Sequence, residues 1–195
     1  MEESQKSPEE KARDAKDQLN NWVAVAVALI ATFTGITKIK DDNIVQAMLQ
    51  MKSDAVDRWN ESQASKIKLH IAENGLRQTQ IASLTAGGAQ RQALNTAAKE
   101  YEAAIEKYRK RAEEASAEAK KNEEAYDSLG YRDDQFDMSD MFLSIAMSLL
   151  AVSALTGKRW LFYFSMVLST FGVIMGVAAF VQLHIHPNFL VKFLT

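Results

Sequence analysis

Residues 138–183 read MSDMFLSIAMSLLAVSALTGKRWLFYFSMVLSTFGVIMGVAAFVQL, and this stretch decides the fold. It consists of two long apolar runs on either side of a short polar link, Thr156-Gly157-Lys158-Arg159. A run of about 18 or more apolar residues can cross the hydrocarbon core of a bilayer as a helix, and so short a charged link fits only a turn at the surface. The stretch therefore predicts a membrane hairpin with spans at residues 138–156 and 160–183.

A third apolar run lies near the N-terminus, at residues 22–36. Residues 1–20, which precede it, are polar and mix acids with bases, unlike the short basic region of a signal peptide. We therefore expect a retained span at residues 21–39 and an amphipathic tail over residues 1–20. Its helix is predicted to start at Ser7-Pro8, with Glu10 completing a capping box. We expect residues 184–195 to be a short C-terminal tail.

The region between the first two spans, residues 40–137, is predicted to be helical throughout. It is rich in Ala, Glu, Lys, Gln and Arg and contains no proline. Its one strong break, at residues 86–89, contains Gly87-Gly88 and lies near the middle. Two equal arms joined by such a turn predict a long antiparallel helical hairpin. The sequence leaves open a break at Asn74-Gly75, and it predicts that the returning arm ends at Gly130.

A heptad pattern on the returning arm predicts a coiled-coil-like seam, in which small residues alternate with tyrosines. Its positions are Ala98, Ile105, Ala112, Ala119 and Tyr126, and then Tyr101, Tyr108, Ala115, Asn122 and Leu129. We expect Tyr101, Ile105, Tyr108 and Trp59 to hold the hairpin together. On the outgoing arm, the large apolar residues follow a period of 3.6 and are predicted to face this seam. They are Val45, Leu49, Val56, Trp59, Ile67, Ile71 and Ile81.

Trp59, Gln63, Lys66 and His70 share one face of the outgoing helix because of their spacing. Two interpretations are open for this face. It either docks a partner or forms the interior seam of the hairpin, and the seam is favoured because a tryptophan on a packed stripe is usually part of a core.

Each span carries small residues at helical spacing, and the third span contains the GxxxG pattern Gly172–Gly176. Small residues let helices approach closely in lipid, where hydrophobicity gives no net drive to associate. We expect Gly172 and Gly176 to hold the membrane part together, within one subunit rather than as a dimer seam.

Several function classes lack support in the composition. The formal net charge of −2 offers no basic surface for nucleic acid. The sequence shows no phosphate-binding loop, no cysteine and no catalytic arrangement, so we expect neither an enzyme nor a protein with a cofactor or a small-molecule substrate. A proton pump or ion-coupled transporter normally carries ionisable groups within its spans, and their interiors show none.

Two weaker functional alternatives remain. His184 and His186 are spaced to share a metal ion on an extended segment, but no further ligand is near in the sequence, so interfacial anchoring is favoured. An oligomeric pore is the other alternative. Its lining would be serines of the second and third spans, namely Ser144, Ser148, Ser165 and Ser169.

The bases near the membrane predict an orientation. With three spans, the N-terminal tail and the turn at Lys158-Arg159 lie on the same side. Both are basic, and short basic segments favour the cytoplasmic side. We therefore expect a cytoplasmic N-terminus and a periplasmic hairpin, although Lys38 and Lys40 argue the other way.

Two segments carry a resemblance to a known family. Residues 59–70, WNESQASKIKLH, are similar to the W-x3-QA-x-SIK-x-H segment of the membrane-protein family known as domain of unknown function 4337. Here Ser65-Lys66-Ile67 stands where that family tends to have lysine, serine and isoleucine. Residues 156–163, TGKRWLFY, are similar to its basic turn. The order of elements agrees over nearly the whole chain. The resemblance implies a multi-pass bacterial inner-membrane protein and implies no activity.

The sequence as a whole predicts an all-α protein with three transmembrane helices and a long hairpin between the first and second. The absence of catalytic groups and the stripes of small residues favour a structural or interaction role. We expect a homo-oligomeric scaffold or an accessory subunit of a larger membrane complex, with membrane lipid as its surroundings.

Overall fold

The computed structural model describes residues 7–183, and over this range the chain folds as three α-helices. Helix α1 comprises Pro8–Thr85, α2 comprises Gly88–Thr156, and α3 comprises Arg159–Phe180. Each contains a stretch long and apolar enough to cross a membrane, judged by length and composition. The histidine pair of the proposed metal site, His184 and His186, lies outside the described residues.

Helix α1 begins with the predicted capping box. The backbone N–H of Glu10 donates to Ser7 Oγ at 3.2 Å, and the backbone N–H of Ser7 donates to a carboxylate oxygen of Glu10 at 2.9 Å. From there the helix continues for 78 residues through Asn74-Gly75. The outgoing arm therefore has no break at Asn74-Gly75 and belongs to one continuous helix.

The predicted turn between the arms is confirmed. α1 ends at Thr85 and α2 starts at Gly88, whose φ of 49° lies in the left-handed region that glycine tolerates best. The side chain of Arg91 closes this turn, because its Nε donates to the carbonyl oxygen of Ala86 at 3.0 Å.

The predicted end of the returning arm at Gly130 is wrong, because α2 runs through this position to Thr156. A glycine inside a helix costs about 1 kcal/mol relative to alanine, and the packing of the next turns outweighs that cost. Phe136 and Met138 are almost completely buried, and the ring of Phe136 makes an edge-on contact with Phe180 of α3. Asp137 and Ser139 consequently lie within α2 and cap no helix.

The chain divides into two compact units. Unit 1 contains the described residues up to Gln46 and from Ser128 onward, and unit 2 contains Ala47–Asp127. In unit 1 all three helices pack around one apolar cluster. Its buried members are Leu19, Val23, Ala26, Ile30, Leu143 and Leu150, with Phe162 and Val173 of α3 packed against them. Unit 2 is the antiparallel pair formed by the outgoing and returning arms.

Candidate functional site

The seam of unit 2 is built from small side chains on both helices. On the returning arm, the predicted heptad positions Ala112, Ala115 and Ala119 are buried, which confirms the central part of that pattern. They face an outgoing seam whose buried residues are Ala55, Ser62, Ser65 and Ala72. Ser62 Oγ donates to the carbonyl oxygen of Ala112 at 2.9 Å. Small residues let the two backbones approach closely enough for this contact.

The prediction that large apolar residues of the outgoing arm face this seam is wrong. Val45, Leu49, Val56, Ile67, Ile71 and Ile81 are exposed, with exposed fractions between 39% and 65%. Since the seam is packed with alanine and serine, a large side chain would force the arms apart. Only Trp59 of the predicted set is partly buried.

The tyrosines of the returning arm lie along the edges of the seam. The ring of Tyr101 lies so close to Gly75 that a Cβ there would be 2.5 Å from it. Gly75 therefore provides space for this ring and does not break the helix. Tyr108 and Tyr126 each lie beneath a lysine ammonium of α1, at 5.9 Å from Lys68 and 5.3 Å from Lys52.

Charged side chains link the two arms outside the seam. Trp59 Nε1 donates to a carboxylate oxygen of Glu123 at 2.9 Å. Arg111 donates to Glu61 at 2.9 Å, and Arg58 bridges Glu61 and Glu118 at 2.8 Å each. Hydrogen bonds from Arg111 and Arg58 hold the pKa of Glu61 below its usual range. Such exposed pairs fix the register of the arms more than they stabilise them.

A continuous stripe of uncharged side chains runs along the exposed face of α1 in unit 2. It advances three or four residues at a time, and we call it the outer stripe. Its residues are Leu49, Ser53, Val56, Asn60, Gln63, Ile67, Ile71, Asn74, Gln78 and Ile81, all of them exposed. The structure therefore gives unit 2 two faces, a small-residue seam inside and an apolar and amide surface outside.

The predicted face of Trp59, Gln63, Lys66 and His70 does not form the interior seam. Gln63, Lys66 and His70 are exposed, and the His70 ring lies 3.2 Å from Glu73. Gln63 belongs to the outer stripe, and Lys66 and His70 lie along its border. Ile105 and Tyr108 are partly buried at the hairpin seam, as predicted, whereas Tyr101 is 36% exposed.

The GxxxG pattern of α3 packs inside unit 1. A Cβ at Gly172 would lie 2.7 Å from Leu143, and a Cβ at Gly176 would lie 2.8 Å from Ser139 Oγ and 2.9 Å from the ring of Phe33. These glycines bring α3 against both other helices. The favoured interpretation, packing within one subunit, agrees with this arrangement.

The serines proposed to line a pore do not share one surface. Ser144 and Ser148 are exposed, while Ser165 and Ser169 are buried. The buried pair donates to carbonyl oxygens one turn earlier in α3, at 2.7 and 2.9 Å. No common polar surface is therefore formed by these four residues.

The most polar site of unit 1 is a group of aspartates that the sequence analysis did not single out. It contains Asp41 of α1 and three residues of α2 at helical spacing, Asp133, Asp137 and Asp140, and we call it the acidic cluster. Asp41 is 4% exposed. Its Oδ2 accepts from Lys38 Nζ at 2.9 Å, and its Oδ1 receives no hydrogen bond while the neighbouring carboxyl groups are ionised.

Burial and repulsion from neighbouring carboxylates make Asp133 and Asp137 bind protons more tightly than isolated carboxylates do. Burial raises the pKa of Asp133 to about 6, and repulsion from Asp137 and Asp41 acts in the same direction. When it is protonated, Asp133 donates a hydrogen bond to Asp41, and this bond further favours the neutral form of Asp133. Partial burial, followed by repulsion from Asp41, also raises the pKa of Asp137. Asp133 is therefore able to change its charge near neutral pH.

The sequence contained a signal for this cluster. Asp140 lies two residues inside the predicted second span, so that span is not free of ionisable groups. The two arms pair symmetrically about Gly87-Gly88, so residues at equal distances from residue 87 lie opposite each other. Asp41 and Asp133 are such a pair. Among the described residues, no group of three or more His, Cys, Asp or Glu side chains has a geometry that would hold a metal ion.

The end of α3 near this cluster is held by polar contacts from α2. Arg132 Nε donates to the carbonyl oxygen of Ala179 at 3.3 Å, and Gln135 Nε2 donates to that of Leu183 at 2.7 Å. Carbonyl groups at the end of a helix lack partners within it, and these side chains supply them.

Comparison with known proteins supports one assignment. The family model described as Domain of unknown function (DUF4337) matches residues 19–182, which cover most of the chain. No curated protein and no solved structure matches the chain.

Proposed function

We propose that this chain, which belongs to the family Domain of unknown function (DUF4337), is an interaction scaffold of the bacterial inner membrane. In this proposal its three apolar stretches span the bilayer, and unit 2 projects into water as a helical hairpin. The protein works as a homo-oligomer or as an accessory subunit of a larger membrane complex.

The observation that carries this proposal is the outer stripe. Four large apolar residues of this stripe, Leu49, Ile67, Ile71 and Ile81, are each more than 60% exposed. Large apolar side chains that recur along one exposed face of a helix in water are a mark of an interaction site. In the membrane part, by contrast, exposed apolar side chains are solvated by lipid and need no partner.

The proposed orientation is supported by the packing of unit 1. The side chain of Lys16 comes within 3.9 Å of the position that a Cβ at Gly157 would occupy. The basic tail and the basic turn at Lys158-Arg159 therefore lie at the same end of the unit. By the positive-inside rule this end is cytoplasmic, and the hairpin is then periplasmic.

Because the chain contains no cysteine, single cysteines test this topology directly. Lys68→Cys lies on the hairpin and Lys158→Cys lies in the turn. A membrane-impermeant maleimide is expected to label Lys68→Cys in intact cells with a permeable outer membrane, and to label Lys158→Cys only after lysis. The reverse pattern would refute the proposed orientation while leaving the scaffold role open.

The scaffold role is tested by native mass spectrometry of the protein extracted in a mild detergent. We expect an oligomer or a stable complex with a second protein. The double variant Ile67→Glu, Ile71→Glu, which places charges on the outer stripe, is expected to lose that association. The matched control is the double variant Ala103→Glu, Ala117→Glu, which adds the same two charges at exposed positions of the returning arm. A wild-type monomer with nothing bound would contradict the scaffold role.

A further inference from the structure

The outer stripe is unusual for a helix surface that faces water, because it contains no charge over its whole length. Each of the ten residues of the stripe, from Leu49 to Ile81, is apolar, an amide or a serine. At 1.5 Å rise per residue they extend over about 50 Å. Their mean spacing lies between 3.5 and 3.6 residues, the spacing at which two helices stay in contact along one face.

We propose that a second copy of this chain covers the outer stripe, with the two α1 helices parallel and in register. This inference rests on the proposed scaffold function and names the surface through which the scaffold assembles. A two-fold axis along the helices then places each stripe residue against the same residue of the second copy.

The amides of the stripe suit such a self-pairing. A side-chain amide carries both donors and an acceptor, so it can hydrogen-bond to an identical amide across a two-fold axis. On the stripe, Asn60 lies between Val56 and Gln63, and Asn74 lies between Ile71 and Gln78. In parallel two-stranded coiled coils, an asparagine within the apolar seam fixes the register and the number of strands.

The charges beside the stripe favour the same arrangement. Lys52 and Asp57 border the stripe on opposite sides, and both are exposed, with the Lys52 ammonium also 5.3 Å from the centre of the Tyr126 ring on the returning arm. In a parallel pair, residues five positions apart on opposite borders face each other across the two helices. Lys52 of one copy then faces Asp57 of the other, twice by symmetry. The stripe itself brings no like charges together.

The size and direction of the stripe also fit a second copy. A face about 50 Å long and about 10 Å wide presents on the order of 500 Å². The residues that border the stripe add to this area, which then approaches the ~800 Å² per partner that specific interfaces bury. Copies inserted in one membrane in the same orientation present α1 in the same direction, as a parallel pair requires.

Single cysteines in the cysteine-free chain give the decisive test. Asn60→Cys and Asn74→Cys are each expected to form disulfide-linked dimers in native membranes under mild oxidation. Their yield should be at least about tenfold that of Lys68→Cys, since a disulfide needs Cα atoms within about 7 Å. An antiparallel pair cannot form both same-residue disulfides, because residues 14 positions apart cannot both lie on its two-fold axis.

The possible results separate the two proposals. An oligomer in native mass spectrometry, with cross-linking at residues 60 and 74 no greater than at residue 68, would overturn this inference and leave the scaffold function standing. A wild-type monomer would overturn both. A charge reversal gives a second measurement. Lys52→Glu is expected to lower the yield of the Asn60→Cys disulfide several-fold, and adding Asp57→Lys should restore it. Failure of that rescue would contradict the proposed register.

Discussion

The two units of this chain solve the same packing problem in opposite ways. In unit 1 the buried cluster consists of large side chains such as Leu143 and Leu150, and two glycines of α3 let the third helix approach. In unit 2 the buried residues are alanines and serines, and the large apolar side chains of α1 lie outside.

The difference teaches that exposure has a different meaning in the two units. An apolar side chain on the outside of a membrane-spanning bundle is solvated by lipid chains. The same side chain on the outside of a hairpin in water costs free energy until something covers it. The seam of unit 2 thus allows close approach of the two arms, and under the proposed topology its outer surface is available for association.

The largest difference between the two units is expected at Gly176, where a substitution should destabilise unit 1 and leave unit 2 unchanged. Gly176→Val places atoms against Ser139 and Phe33, within 3 Å of both. We expect a loss of about 3 kcal/mol in the stability of unit 1, at the upper end of overpacking costs. Hydrogen exchange should rise in peptides from residues 128–183 more than in those from residues 47–127. Gly35→Val is the matched control, because a Cβ at Gly35 meets nothing within 4 Å.

The seam of unit 2 is tested by Ala119→Leu. Ala119 is completely buried between the arms, and the three additional carbon atoms must push them apart. The expected loss is about 1–3 kcal/mol, measured as faster hydrogen exchange within residues 47–127. Ala117→Leu adds the same atoms at an exposed position and should change exchange little. An equal effect of both substitutions would show that the small-residue seam is not the site of close packing.

The smallest effect concerns the acidic cluster of unit 1. The folded pKa of Asp133, about 6, is higher than that of an unfolded aspartate, so the folded state binds more protons between these two values. The contribution of Asp133 to the stability of the folded state is therefore greatest below about pH 4 and is lost as the pH rises through about 6. Asp133→Asn should raise Tm at pH 7.5 by about 2–4 °C, the shift that about 1 kcal/mol produces in a chain of this size, and leave it unchanged at pH 4.

Asp127→Asn serves as the control for charge alone, since Asp127 is exposed on unit 2. Thermal unfolding in detergent at both pH values measures the effect. A Tm of Asp133→Asn that is shifted equally at pH 4 and pH 7.5 would contradict a raised pKa as its cause.

Much of the architecture was predictable because it depends on local signals. The capping box at Ser7 and the turn at Gly87-Gly88 each follow from a few neighbouring residues, and the structure confirms both. The heptad of the returning arm was also correct at Ala112 and Ala119, because small residues at that spacing have few alternative roles.

The outgoing seam and the acidic cluster were missed for physical reasons. Large apolar residues are ordinarily buried, so their period on α1 was assigned to the seam, although the alanines opposite leave room only for small partners. Asp41 and Asp133 are 92 positions apart, and no local pattern connects them. The symmetric turn connects them, since the contact of Ser62 with Ala112 is centred on the same residue 87 as that pair.

Because the two arms have equal lengths and pair residue by residue, the length of the hairpin is constrained. Removing seven residues from one arm alone would slide every seam contact by two turns, and Ser62 would lose Ala112. Removing seven from each arm, at matched distances from Gly87-Gly88, would shorten the hairpin by about 10 Å and keep the remaining contacts in phase. The length of this hairpin can therefore change only in paired steps.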